Sequence, residues 1–201
     1  MDSEKRRVAC SGDSITCGYG IRDRRRTYPS VLQGLLGDGY EVGNFGNSGR
    51  GILRKSRKGW DQRGFIFMPQ HEEALAFRPH LVICNLGIND LMDWDQFGGE
   101  DLVDDYRALL QTYKTPAAVP RLIIWHRLAS RFPGRPLWGD PREENLNAAI
   151  GEVARLEEVE VIDMADPLSA HAEWFPDKLH PKEEAEAIAR VTAEYPGGGN
   201  R

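Results

Sequence analysis

Val8-Ala9-Cys10-Ser11-Gly12-Asp13-Ser14-Ile15-Thr16 is the stretch that decides how the chain folds. A short apolar run stops at a glycine, and an acid and a serine open the next turn. The run, taken from Arg7 to Ser11, predicts a first strand, with Gly12 as its stop. Strand and helix patterns alternate from there. Helices are expected at Tyr28 to Leu36, Gln70 to Phe77, Glu100 to Tyr113, Pro141 to Leu156 and Pro181 to Glu194. Strands are expected at Tyr40 to Phe45, His80 to Leu86, Arg121 to Trp125 and Val159 to Asp163. Asp140 and Pro141 read as N-cap and first helical residue, and Pro181 likewise opens the last helix. Such alternation predicts a parallel sheet covered by helices on both faces.

The expected strand ends collect residues that carry chemistry. Gly12-Asp13-Ser14 follows the first strand, Asn44-Phe45-Gly46-Asn47-Ser48-Gly49 closes the second, and Gly87-Ile88-Asn89-Asp90 follows the third. Asp177-Lys178-Leu179-His180 precedes the last helix. Open α/β sheets gather their sites at such ends. A serine hydroxyl needs a base to take its proton. His180 is the candidate base, and Asp177, three residues earlier, the acid that holds its tautomer. The Ser14 N–H, the Gly49 N–H and the Asn89 side-chain amide are candidate donors to a developing oxyanion. The pattern implies a serine hydrolase that cleaves an ester.

These four motifs resemble the blocks of the GDSL esterases, also called SGNH hydrolases, from about Val8 to the last helix. The resemblance implies a flavodoxin-like three-layer α/β/α sandwich with a five-stranded parallel sheet. It also implies Ser14 as nucleophile, His180 as base, Asp177 as orienting acid, and Ser14, Gly49 and Asn89 as the oxyanion hole. Two positions depart from the family pattern: Lys178 stands where glycine is usual, and Arg50 where a small threonine or an aspartate is common. The stretch from Tyr40 to Trp94 is similar to bacterial carbohydrate O-acetylesterases, implying an acetylated carbohydrate as substrate. A lysophospholipase or thioesterase on the same machinery, and a silent carbohydrate-binding domain, are the alternatives.

The totals narrow the field. The 201 residues suit one domain, expected over 1–195, with a disordered tail over 196–201. A net charge of -5 argues against a nucleic-acid surface. The cluster Arg24-Arg25-Arg26 reads as a solvated loop. No apolar run approaches the ~20 residues that span a bilayer. The start lacks a signal-peptide core, so the chain as written is expected in the cytosol, unless a leader has been removed. Cys10, Cys17 and Cys84 read as reduced thiols, a Cys10–Cys84 bridge being the less favoured alternative. His71, His80, His126 and His171 lack metal-ligand spacing and read as surface or capping residues, His126 being the one near the site. No phosphate loop or dinucleotide fingerprint is present, so no cofactor or metal is expected. The long segments Arg50 to Pro69 and Leu128 to Gly139 carry Trp60, Phe65, Phe67, Phe132 and Trp138. These aromatics either line a pocket or lid the core. The sequence leaves the oligomeric state undecided.

Overall fold

The computed structural model describes residues 4–55, 63–115, 119–126, 141–164, 168, 171–177, 179–182 and 185–196. Five strands form one parallel sheet in the order β2-β1-β3-β4-β5. They are β1 (Arg6–Gly12), β2 (Tyr40–Gly46), β3 (Leu81–Asn85), β4 (Arg121–His126) and β5 (Glu160–Asp163). The helices among the described residues are α1 (Ser14–Cys17), α2 (Tyr28–Leu36), α3 (Pro69–Ala76), α4 (Trp94–Phe97), α5 (Glu100–Tyr113), α6 (Pro141–Glu157) and α7 (Ala185–Ala193).

The alternation of side chains along each strand divides the interior in two. Ala9, Val82, Cys84, Leu122 and Ile124 pack on one face against Ala74 of α3, Leu102, Tyr106 and Leu109 of α5, and Leu146, Ile150 and Val153 of α6. Val8, Cys10, Ile83, Ile123, Trp125 and Ile162 pack on the other against Tyr28 and Leu32 of α2 and Ile188 and Ala189 of α7. A strand buried on both faces must be apolar at consecutive positions, as Leu81-Val82-Ile83-Cys84 is. The result is the three-layer α/β/α sandwich that the resemblance implied. The direction of crossover changes between β1 and β3, and ligands bind at this kind of switch point, outside the carboxyl ends of the strands.

The same alternation explains the thiols. Cys10 pairs with Ile83 and Ser11 with Cys84, so Cys10 and Cys84 lie in the two opposite cores. All three cysteines are free. Burial pushes the thiols of Cys10 and Cys84 up to about 12, which keeps them protonated and unreactive.

Several expectations are corrected. Pro181 and Lys182 are not helical, and the last helix is described over Ala185–Ala193. The Lys182 N–H donates to the Trp174 carbonyl at 3.0 Å. Arg24-Arg25-Arg26 forms a 3-10 turn capped by Asp23. Arg24 donates to the carbonyls of Cys17 and Gly18, the otherwise open end of α1. Phe65 is fully buried and lids the core, whereas Phe67 is partly exposed. Trp60, Phe132, Trp138, Asp140, Lys178, the side chain of His126 and the tail 197–201 lie outside the described residues.

His71 is not a surface histidine but is 3% exposed. Its Nδ1 lies 3.2 Å from the Tyr113 hydroxyl and its Nε2 3.1 Å from the Thr112 hydroxyl. Tyr113 in turn meets Ser11 of β1 at 2.9 Å. Burial disfavours the imidazolium and lowers its pKa from 6.5 to about 4. The unfolded chain therefore binds a proton here below pH 6.5, and the folded chain not until about pH 4. Stability is whole above pH 6.5 and falls as the pH drops toward 4. In urea titrations the lead of the wild type over His71→Gln should shrink by on the order of 2–3 kcal/mol between pH 7 and pH 4. A pH-independent lead would show that this imidazole does not titrate as described.

Candidate active site

The site is assembled at the carboxyl ends of β1, β2 and β3, three neighbours in the sheet, and completed by the segment after β5. Gly12 ends β1 where two groups press in: a Cβ there would collide with Thr16 and with the Asn85 carbonyl. Gly46 ends β2 opposite it, and a Cβ at Gly46 would overlap the backbone at Cys17. Only glycine permits such close packing of the first turn of α1 on both strand ends.

Asp13 caps α1. Its side chain accepts the Ile15 N–H at 2.9 Å, and the residue is fully buried. Ser14 is thus the first residue of the helix, 6% exposed, with its N–H among the donors that no helical carbonyl can satisfy. At the other end of this single turn Arg24 holds the carbonyls of Cys17 and Gly18. The hydroxyl is therefore presented from a turn pinned at both ends.

His180 Nε2 lies 2.8 Å from Ser14 Oγ. His180 Nδ1 lies 2.6 Å from Asp177 Oδ2. The other carboxylate oxygen, Oδ1, accepts the backbone N–H groups of Leu179 at 2.9 Å and His180 at 2.7 Å. Partial burial raises the carboxyl pKa, but the N–H bonds and the imidazole outweigh it and hold Asp177 below the usual carboxylate value. An ionised carboxylate on Nδ1 makes Nε2 the nitrogen that faces the serine without a proton when the ring is neutral. The three side chains expected together from the sequence are thus in one hydrogen-bonded row. Such a row can take a proton from a hydroxyl and return it to a leaving group.

The other two candidates lie on the adjoining loops. Gly49 has a left-handed backbone, φ 76°. The loop that carries it is tied to β1 by the Asn47 N–H, which donates to the Gly12 carbonyl at 2.8 Å. Asn89 donates through Nδ2 to the Arg50 carbonyl at 2.9 Å. A carbonyl partner requires the nitrogen on that side, so the orientation of the amide is determined, and one of its two N–H groups is engaged. Arg50 does not reach away from its own loop: its Nε donates to Asn47 Oδ1 at 3.2 Å.

Reading the sequence missed four neighbours. Tyr19, 57% exposed, sets its ring 4.7 Å from that of His180. Arg24 and Asp13 frame the serine turn, and only Asp13, an acid just before a helix start, carried a local signal. Asp90 stood within a quoted motif without a role. It is 3% exposed, and burial pushes its pKa up to about 6 against the pull of N–H bonds from Ile52 and Leu53. Among the described residues no group of three or more His, Cys, Asp or Glu is arranged to hold a metal ion, and no helix is long and apolar enough to cross a membrane.

Comparison with known proteins places this geometry. The GDSL-like lipase/acylhydrolase family matches residues 10–188. An acetylxylan esterase from Xylanibacter ruminicola is 33% identical over 210 residues, covering 93% of this chain and 42% of that protein. The chain therefore spans less than half the length of that relative. An acetylxylan esterase from Geobacillus stearothermophilus superimposes with a TM-score of 0.68 at 19% identity, over 99% of this chain and 98% of the other. A carbohydrate acetylesterase from Sinorhizobium meliloti does so with a TM-score of 0.66 at 20% identity, over 94% and 97%. At these identities the structural likenesses speak for the fold. With the family matched across most of its length, the chain belongs to the GDSL-like lipase/acylhydrolase family.

Proposed function

We propose that this enzyme removes small acyl groups, acetyl foremost, from carbohydrate esters through an acyl-serine intermediate. The observation that carries the reading is the row Ser14–His180–Asp177, with separations of 2.8 and 2.6 Å. In this reading His180 Nε2 takes the hydroxyl proton as Ser14 Oγ attacks the acyl carbon. Asp177 stabilises the imidazolium that forms. The negative oxygen of the tetrahedral intermediate is received by the N–H groups of Ser14 and Gly49 and by the Asn89 amide. Collapse expels the sugar hydroxyl, which takes the proton from His180. Water then repeats the sequence on the acyl-serine and releases the carboxylic acid.

The carbohydrate part of the reading is supported by the acetylxylan esterase relative. It is also supported by the exposed ring of Tyr19 beside His180, an apolar face at the rim of a polar site.

Three outcomes test the proposal. Ser14→Ala should abolish covalent labelling by a fluorophosphonate and lower turnover of p-nitrophenyl acetate by about 10⁴-fold or more. Labelling that survives would remove Ser14 from the chemistry. Asn89→Ala should lower kcat by about 10²–10³-fold and leave KM little changed, as loss of one oxyanion donor does. An unchanged kcat would remove the amide from the hole. Across p-nitrophenyl esters and acetylated xylo-oligosaccharides, kcat/KM should be highest for acetyl and fall as the acyl chain lengthens. A rise with chain length would favour a lysophospholipase or thioesterase instead.

A further inference from the structure

The turn after β3 and the loop after β2 are joined by more than the Asn89 amide. Asp90 Oδ1 accepts the N–H groups of Ile52 at 3.0 Å and Leu53 at 2.8 Å, and Oδ2 accepts that of Ile52 at 2.8 Å. Arg63 forms an ion pair with Asp93 through Nη1 at 3.1 Å, the two side chains being 13% and 7% exposed. Its Nη2 donates to the carbonyl of Gly49 itself at 3.4 Å. Taking charges out of water is costly unless they are paired and hydrogen-bonded. Here a buried carboxylate and a nearly buried ion pair bond to the backbone of one five-residue segment, Gly49 to Leu53.

That segment has reason to need them. Gly49 and Gly51 give it backbone freedom, and a freely moving N–H is a poor oxyanion donor because donors work by being in place beforehand. Gly51 also fits the clasp: a Cβ there would overlap the Asp90 carboxylate. We propose that Asp90 and Arg63 are positioning residues for ester hydrolysis, holding the Gly49–Leu53 segment so that the Gly49 N–H and the Asn89 amide converge. The proposal rests on the assignment of those two groups as oxyanion donors made above. Neither Asp90 nor Arg63 touches substrate in this scheme. Asp90 acts through the N–H groups of Ile52 and Leu53, and Arg63 through the Gly49 carbonyl.

The test compares Asp90→Asn, Arg63→Lys and Asn89→Ala on p-nitrophenyl acetate, with urea titrations to establish that each variant is folded. Asp90→Asn keeps the shape but removes the charge and sets an amide NH₂ against the Ile52 N–H that Oδ2 accepts. It should lower kcat by about 10–100-fold with KM within about threefold of wild type. Arg63→Lys keeps the charge beside Asp93 but loses the fork that also reaches Gly49, and should lower kcat by about 3–10-fold with KM unchanged. Should Asp90→Asn fail to fold, Arg63→Lys carries the test alone. Folded variants with wild-type kcat, or with KM changed in step with kcat, overturn the positioning role. If Asn89→Ala is nevertheless impaired, the donor assignment still stands. A fully active Asn89→Ala overturns the donor assignment and the positioning role with it.

Discussion

The hydrogen bond between Ser14 and His180 crosses 166 residues of chain and most of the width of the sheet. The serine leaves β1, an interior strand, while the histidine follows β5, at the sheet's far edge. Something must carry the segment after β5 back toward β1, and the apolar layer on the α2 side does so. Met164, Leu168 and Phe175 are buried in the same cluster as Val8, Cys10 and Ile15, with Ile188 and Ala189 of α7 beyond them. Full burial of one such large side chain is worth about 1.5–3 kcal/mol. The Lys182–Trp174 backbone bond then sets the direction of the chain just after His180. Hydrophobic packing chooses the neighbourhood, and polar bonds of under 3 Å fix the final geometry of Asp177 and His180.

This division of labour also explains which parts were legible in the sequence. Strand and helix patterns depend on local periodicity and on Gly and Pro punctuation. Tyr28–Leu36 and Glu100–Tyr113 accordingly begin and end where the pattern says. The hydroxyl was legible because it stands just past a strand stopped by Gly12, and the acid and imidazole because they share one short motif three residues apart before Pro181. Pro181 misled because proline is a good first helical residue, yet neither it nor Lys182 is helical here, and the described last helix runs over Ala185–Ala193.

What stayed illegible depends on partners far away in the chain. His71 sits on a short helix of mixed character, and its partners are Tyr113 and, through it, Ser11. Arg24 looked like one of three equivalent cations, but it alone of the three closes the end of α1, while Arg25 pairs with Asp23. Asp90 could be quoted from its motif, but the donors it accepts are backbone groups of a loop whose path no local pattern encodes.

The distance along the chain between hydroxyl and imidazole has a consequence for biosynthesis. A ribosome adds about 5–20 residues per second, so the Ser14 turn is made roughly 8–30 s before His180, 166 residues further on. For that whole interval the nascent polypeptide holds Ser14 without its hydrogen-bond partner. In the proposed mechanism, competence therefore waits until the His180 segment has been made and packed back against β1, rather than accumulating along the way.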